Sequence, residues 1–289
     1  MGFKKEIIPI LLMLIILMPT GYYLAGKEVY DTVAHTNTDC WGNFDQNTPI
    51  QFAPLRSEVP LNESNNSENI TSNIMEGLSQ YWWPGYQNAT IEVVGEDLFL
   101  SAWYYNQSDS MPWIIFTHGI RGCKSGGELL ITSGMLLNAG FNVIVYDLRD
   151  HGQSSIDDNR VSGGQDEWQD VVAVFDWLIE EQGADADKIG LFGTSMGAGT
   201  SAIAFSLDDR MQAVWLDSGY ADMEDIVIEE LEFQGLPTFL GSAGIFAGKI
   251  SAGQNLVEYY PLEAASEIGD RHMYVVHGNL SLIHISEPT

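Results

Sequence analysis

Residues 191–199 read LFGTSMGAG and set Ser195 between Gly193 and Gly197, at the point where the apolar run 188–195 (KIGLFGTS) gives way to helix-forming residues. The run predicts a buried strand and the residues from about Met196 predict a helix. A sharp strand-to-helix turn crowds the backbone, so small residues two positions before and two after the serine are what such a turn needs. The hydroxyl of Ser195 then projects at the carboxyl edge of a sheet. The helix amino end offers N–H groups and positive partial charge to an oxyanion. In this setting Ser195 is expected to be a nucleophile rather than part of a mere tight turn. Neither Gly-x-x-x-x-Gly-Lys-Ser/Thr nor Gly-x-Gly-x-x-Gly occurs, which excludes the phosphate-loop reading.

Outward from the serine, strands alternate with helical stretches from about residue 89, the pattern of a mostly parallel sheet covered on both faces. TIEVV and LFLSAWYY read as an antiparallel opening pair, followed by the strands WIIFTHG, NVIVYDLR, KIGLFGTS, MQAVWLDS and HMYVVHG. Between the fourth and fifth strands, Trp168, Val171, Phe175, Leu178 and Ile179 recur at helical spacing. The acids Asp166, Glu167, Asp170, Asp176, Glu180 and Glu181 are expected to form a solvated face rather than a metal site.

Four motifs in order, THGIRG, DLRDHGQSS, GTSMG and YYPLEAASEI before MYVVHGN, resemble the α/β-hydrolase superfamily, in particular its lysophospholipase-like and serine-aminopeptidase-like members. The resemblance covers about 89–279. It implies an α/β-hydrolase fold with Ser195 as nucleophile and the backbone amides of Ile120 and Met196 as oxyanion hole. It also implies a short lid between the sixth and seventh strands, where 236–248 (LPTFLGSAGIFAG) can cover an acyl pocket or pack as helical core. The serine at the elbow disfavours branches that use aspartate there. Asp217, at the end of the sixth strand, stands where some members supply the triad acid; a capping or loop role is the alternative.

A serine nucleophile needs a base. His118, His151 and His277 lie in glycine turns, His272 begins a strand and His35 precedes the domain; each is expected to be structural. The triad order of this fold is Ser, then Asp or Glu, then His. His284 comes too soon after the seventh strand to fit it. The last ten residues, 280–289 (LSLIHISEPT), resemble no hydrolase segment but match an in-frame translation of a transposase-end sequencing adapter. They are therefore read as an artefact, with the triad His and Asp expected beyond Asn279 and absent from this chain, which would leave it inactive as written.

The balance of 12 Lys and Arg against 40 Asp and Glu gives a net charge of −28. Such a surface repels nucleic acid and anionic head groups and suits a saline environment. Lys4 and Lys5 precede an uncharged run over 7–26, expected to be an export signal, either cleaved or retained as a membrane anchor, with the body outside the cytoplasm. Residues 27–88 read as an arm without chemistry. Asn62, Asn65, Asn69, Asn88 and Asn106 begin glycosylation sequons. Cys40 and Cys123 either bond outside the cell or stay apart, which spacing alone does not decide. The expectation is an exported serine hydrolase acting on a small-molecule ester or amide without metal or organic cofactor. A non-catalytic binding module on the same fold is the alternative.

Overall fold

The computed structural model describes residues 3–36, 40, 47–52, 77–233 and 235–278. Among these, one sheet is built from β1 (Gln87–Val93), β2 (Leu98–Tyr105), β3 (Trp113–Thr117), β4 (Asn142–Tyr146), β5 (Ile189–Thr194), β6 (Ala213–Asp217) and β7 (His272–Val276). Their spatial order is β1-β2-β4-β3-β5-β6-β7. The short link between β1 and β2 forces an antiparallel hairpin, and β2 also pairs antiparallel with β4. The later pairings are parallel, as strands separated by helical crossovers require. Every residue of β4 is buried, which explains why its sequence is an apolar run without alternation.

Helices α2 (Gly127–Asn138), α3 (Trp168–Gln182) and α4 (Met196–Leu207) cover the two faces. Leu129, Leu130 and Leu137 of α2 join Phe116, Val143 and Val145 in one cluster. Val171, Val174, Phe175 and Leu178 of α3 join Phe205 and the opposite side chains of the strands in another. The acids around α3 differ from expectation. Asp170 and Glu167 are buried, Asp170 because it holds Arg149 through two side-chain bonds of 2.9 and 2.7 Å, Glu167 because it accepts the Ser162 and Gly164 amides.

Beyond β6 lie α5 (Met223–Phe233), α6 (Gly241–Ser251) and the short α7 (Glu263–Ser266). Against α6 packs the end of α1 (Phe3–Ala34), one helix that runs through both the expected leader and the first residues of the expected arm. Residues 16–22 of α1 are exposed, whereas Gly26, Val29, Tyr30 and Ala34 are buried. The reason lies in small residues: a Cβ on Gly26 would sit 2.1 Å from the Ala243 carbonyl, and Gly244 and Gly248 leave room for Val29 and Tyr30. Among the described residues no helix is long and apolar enough to cross a membrane.

The arm is also tied down elsewhere. Phe52 and Trp83 are buried in the α2 cluster, and the Trp83 indole donates to Ser133 Oγ at 3.2 Å. Cys40 and Cys123 form a disulfide, their Cα atoms 5.5 Å apart. The sequons at Asn62, Asn65 and Asn69, and the stretch 279–289 with His284, lie outside the described residues.

Candidate active site

Ser195 sits between the last residue of β5 and the first of α4 with φ 54° and ψ −123°, a strained backbone for a residue with a side chain. Two contacts impose this turn. A Cβ on Gly193 would meet the Gly197 carbonyl at 2.3 Å, and one on Gly197 would meet the Thr117 and His118 carbonyls at 2.3 and 2.4 Å. The turn is thus wedged between β3 and its own helix, and the Ser195 amide donates to the Asp217 carbonyl at 2.9 Å. The strain persists because the neighbours over-determine it.

Across from the serine runs the turn after β3. Gly119 lies so near that a Cβ there would sit 3.5 Å from Ser195 Oγ. The two expected oxyanion donors flank this gap: Met196 is the first residue of α4, whose amide has no intrahelical acceptor, and Ile120 follows Gly119. Among the described residues neither amide is taken by an acceptor. Asp217 ends β6 in register with Thr194, and its carboxylate accepts the Ser218 hydroxyl at 2.8 Å. That bond suits the capping role, and among the described residues no imidazole bonds Asp217.

The motif histidines hold the loops. His118 Nδ1 lies 2.8 Å from the Gly119 carbonyl while its Nε2 accepts the Leu148 amide at 3.0 Å. His151 does the same, with Nδ1 2.8 Å from the Arg149 carbonyl and Nε2 accepting the Arg121 amide at 3.2 Å. Both rings are therefore Nδ1–H tautomers with no nitrogen left for Ser195. Burial and the neighbouring His151 imidazole push His118 down to about 3, so it carries no charge near neutrality. Asp147 completes this frame: it accepts the Lys124 and Gln153 amides and pairs with the buried Lys124 ammonium.

A cavity of about 260 Å³ opens onto Ser195 and Met196. Its walls come from three places: Ile120 and Arg121 of the β3 turn, Met223, Val227, Ile245 and Leu256 of the lid region, and Val29, Tyr30 and Val33 of α1. The lid residues were expected there. The α1 residues and Arg121 were not: Val29, Tyr30 and Val33 fall in the stretch read as an arm without chemistry, and Arg121 was read only as part of the THGIRG turn. The apolar spacing of Val29 and Val33 was the available signal. Tyr220 also lines the cavity, but its hydroxyl is committed to the Gly163 carbonyl and burial raises its pKa, which removes it as an acid or base.

A strained serine at a strand-to-helix turn, beside two unoccupied amides on this strand order, defines the hydrolase type of α/β protein. A model of the alpha/beta hydrolase fold matches residues 112–255, and the chain has this fold. It is 28% identical over 138 residues to an uncharacterized 31.7 kDa protein of Escherichia coli, a match covering 48% of each chain. To the lysophosphatidylserine lipase ABHD12 of Bos taurus it is 25% identical over 135 residues, covering 46% of this chain and 30% of that one. The chain thus spans about half or less of the length of the curated relatives it matches. Among solved structures, an esterase of Pyrococcus furiosus superposes with a TM-score of 0.52 at 23% identity, covering 66% of this chain and 69% of that one. The α/β hydrolase GrgF of Penicillium sp. sh18 gives 0.54 at 16%, covering 69% and 82%. These likenesses are of fold.

Proposed function

We propose that the protein is an exported serine hydrolase that cleaves an ester or amide through an acyl-enzyme on Ser195. One observation carries the reading: the strained backbone of Ser195 holds it in the lining of the cavity, beside the open amides of Ile120 and Met196. In the proposed step Ser195 Oγ attacks the carbonyl carbon, its proton passes to a base, and the two amides donate to the oxyanion. The leaving group takes the proton, and water releases the acyl group by the same route. The base and its acid are taken to follow β7, in the triad order Ser, then Asp or Glu, then His. The Cys40–Cys123 disulfide supports an oxidising compartment, in keeping with the lysine-flanked leader.

Among the described residues no imidazole bonds Ser195, which favours a second reading, a binding module that keeps the fold without the chemistry. A fluorophosphonate probe separates the two. The parent gene's product should be labelled and its Ser195→Ala variant should not. The 289-residue chain should react several orders of magnitude more slowly, since oxyanion contacts and binding alone supply only about 10³–10⁴-fold over water. Equal labelling of the wild type and the Ser195→Ala variant removes the nucleophile assignment. A parent gene with no Asp and His after β7, together with no labelling, establishes the binding module.

A further inference from the structure

Arg121 is the outlier among the described arginines of this chain. Arg149 pairs with Asp170 and Glu96, Arg160 with Asp31, Arg210 with Asp176 and Asp208, and Arg271 lies against backbone carbonyls and Asp209. Among the described residues the Arg121 guanidinium has no ion pair, hydrogen bond or ring contact. In a chain with 40 acidic residues an arginine without a carboxylate is anomalous. Its position is anomalous as well. Arg121 adopts φ 58°, held by its amide donating to His151 Nε2, and it follows directly on the oxyanion residue Ile120. It is half-buried in the wall of the cavity that holds Ser195.

The rest of that wall is mostly apolar. Val29 and Val33 from α1 face Met223, Val227, Ile245 and Leu256, with Glu230 the carboxylate among the lining residues. A cavity with an apolar body and one unpaired guanidinium near the nucleophile matches a ligand with an apolar chain and an anionic group. Guanidinium is suited to this task because its planar fork binds carboxylate or phosphate oxygens in pairs and loses less hydration than an ammonium. The net charge of −28 works against any anion at long range, so affinity for one must come from a local cation.

We propose that Arg121 is a specificity-determining residue that binds an anionic group, carboxylate or phosphate, on a single-chain amphiphilic substrate whose apolar chain lies between α1 and the lid. The proposal deepens the hydrolase reading and rests on the same cavity, but it is a statement about binding and can be tested without turnover.

Calorimetric titration of the full chain with dodecyl phosphate, dodecanoate and uncharged dodecanol supplies the test. Both anions should bind more tightly than dodecanol, and the stronger of the two names the anion. Arg121→Gly fits the positive φ without strain, so the fold is kept. It should weaken the anions about ten- to a hundredfold while leaving dodecanol unchanged. Arg121→Lys should recover part of the loss. Val33→Trp, which fills the cavity from α1, should weaken all three ligands. Ser195→Ala should change none, so a failed nucleophile assignment leaves this result standing. Equal anion affinity in wild type and Arg121→Gly, or an equal loss for dodecanol, overturns the proposal. So does the absence of anion binding to the wild-type chain.

Discussion

A single methyl group at Gly197 probes the elbow. The two carbonyls it would strike, those of Thr117 and His118, are backbone atoms at the end of β3, and no rotamer change relieves them. Gly197→Ala must push β3 away from α4 and carry Ile120 with it. A cost of about 1–3 kcal/mol or more is expected in urea unfolding. Gly21→Ala is the control: nothing lies within 4 Å of its Cβ, and inside α1 alanine should be neutral or stabilising by up to about 1 kcal/mol. Equal effects of the two substitutions would mean that the elbow is not wedged as described. Ser195 was legible in the sequence because its geometry is written in five consecutive residues. The isolation of Arg121 was not, because what leaves it unpaired is where the carboxylates of other arginines lie. The partner of Arg149 is 21 residues away and that of Arg160 is 129. Likewise, the helical pattern placed Asp170 on α3 but gave no sign that Arg149 would draw it inside.

Among the elements, the strands and the mostly parallel sheet followed from apolar runs separated by helical crossovers, a local signal repeated along the chain. The end of α1 is different. Its apolar residues lie in the stretch read as an arm without chemistry, and their packing depends on α6, more than two hundred residues later. The hydrogen bond of Tyr30 to Gln254 spans 224 residues. The disulfide was undecidable for the same reason, since spacing carries no distance. It joins the arm to the β3 turn, with Cys123 three residues past Ile120, and its sequence separation is 83. Constraining a loop of that size in the unfolded chain contributes roughly 4–5 kcal/mol in the chain-entropy model. The Cys40→Ser, Cys123→Ser double variant should therefore melt about 10 °C or more below the oxidised protein. Dithiothreitol should bring the wild type to the same midpoint. An unfolding midpoint indifferent to the reductant would show that the two sulfurs do not bond in solution.

For the molecule as a whole, the acid excess is the dominant electrostatic fact. Of the cations, Lys124 and Arg149 are held in buried pairs, and Lys27, Arg160, Arg210 and Arg271 in more exposed ones. Little positive charge is left to offset the remaining carboxylates, which repel one another across the folded surface more strongly than across the expanded chain. Salt acts on these two populations unequally. The Debye length falls from about 10 Å at 0.1 M to 3 Å at 1 M, so surface repulsion is largely screened, while the Lys124–Asp147 and Arg149–Asp170 pairs lie out of reach of the ions. Exposed ion pairs also weaken, but each is worth only about 0–1 kcal/mol. The net effect of added salt must then be stabilising. The melting temperature should rise by about 5 °C or more between 0.1 M and 1 M sodium chloride, a gain of roughly 2 kcal/mol at this chain length. Lys124→Met should lower the curve by a similar amount at every salt concentration, because the buried Asp147 it strands is not screened. A melting temperature that falls with salt would mean that exposed ion pairs outweigh self-repulsion, and the link between the acidic surface and a saline environment would be lost.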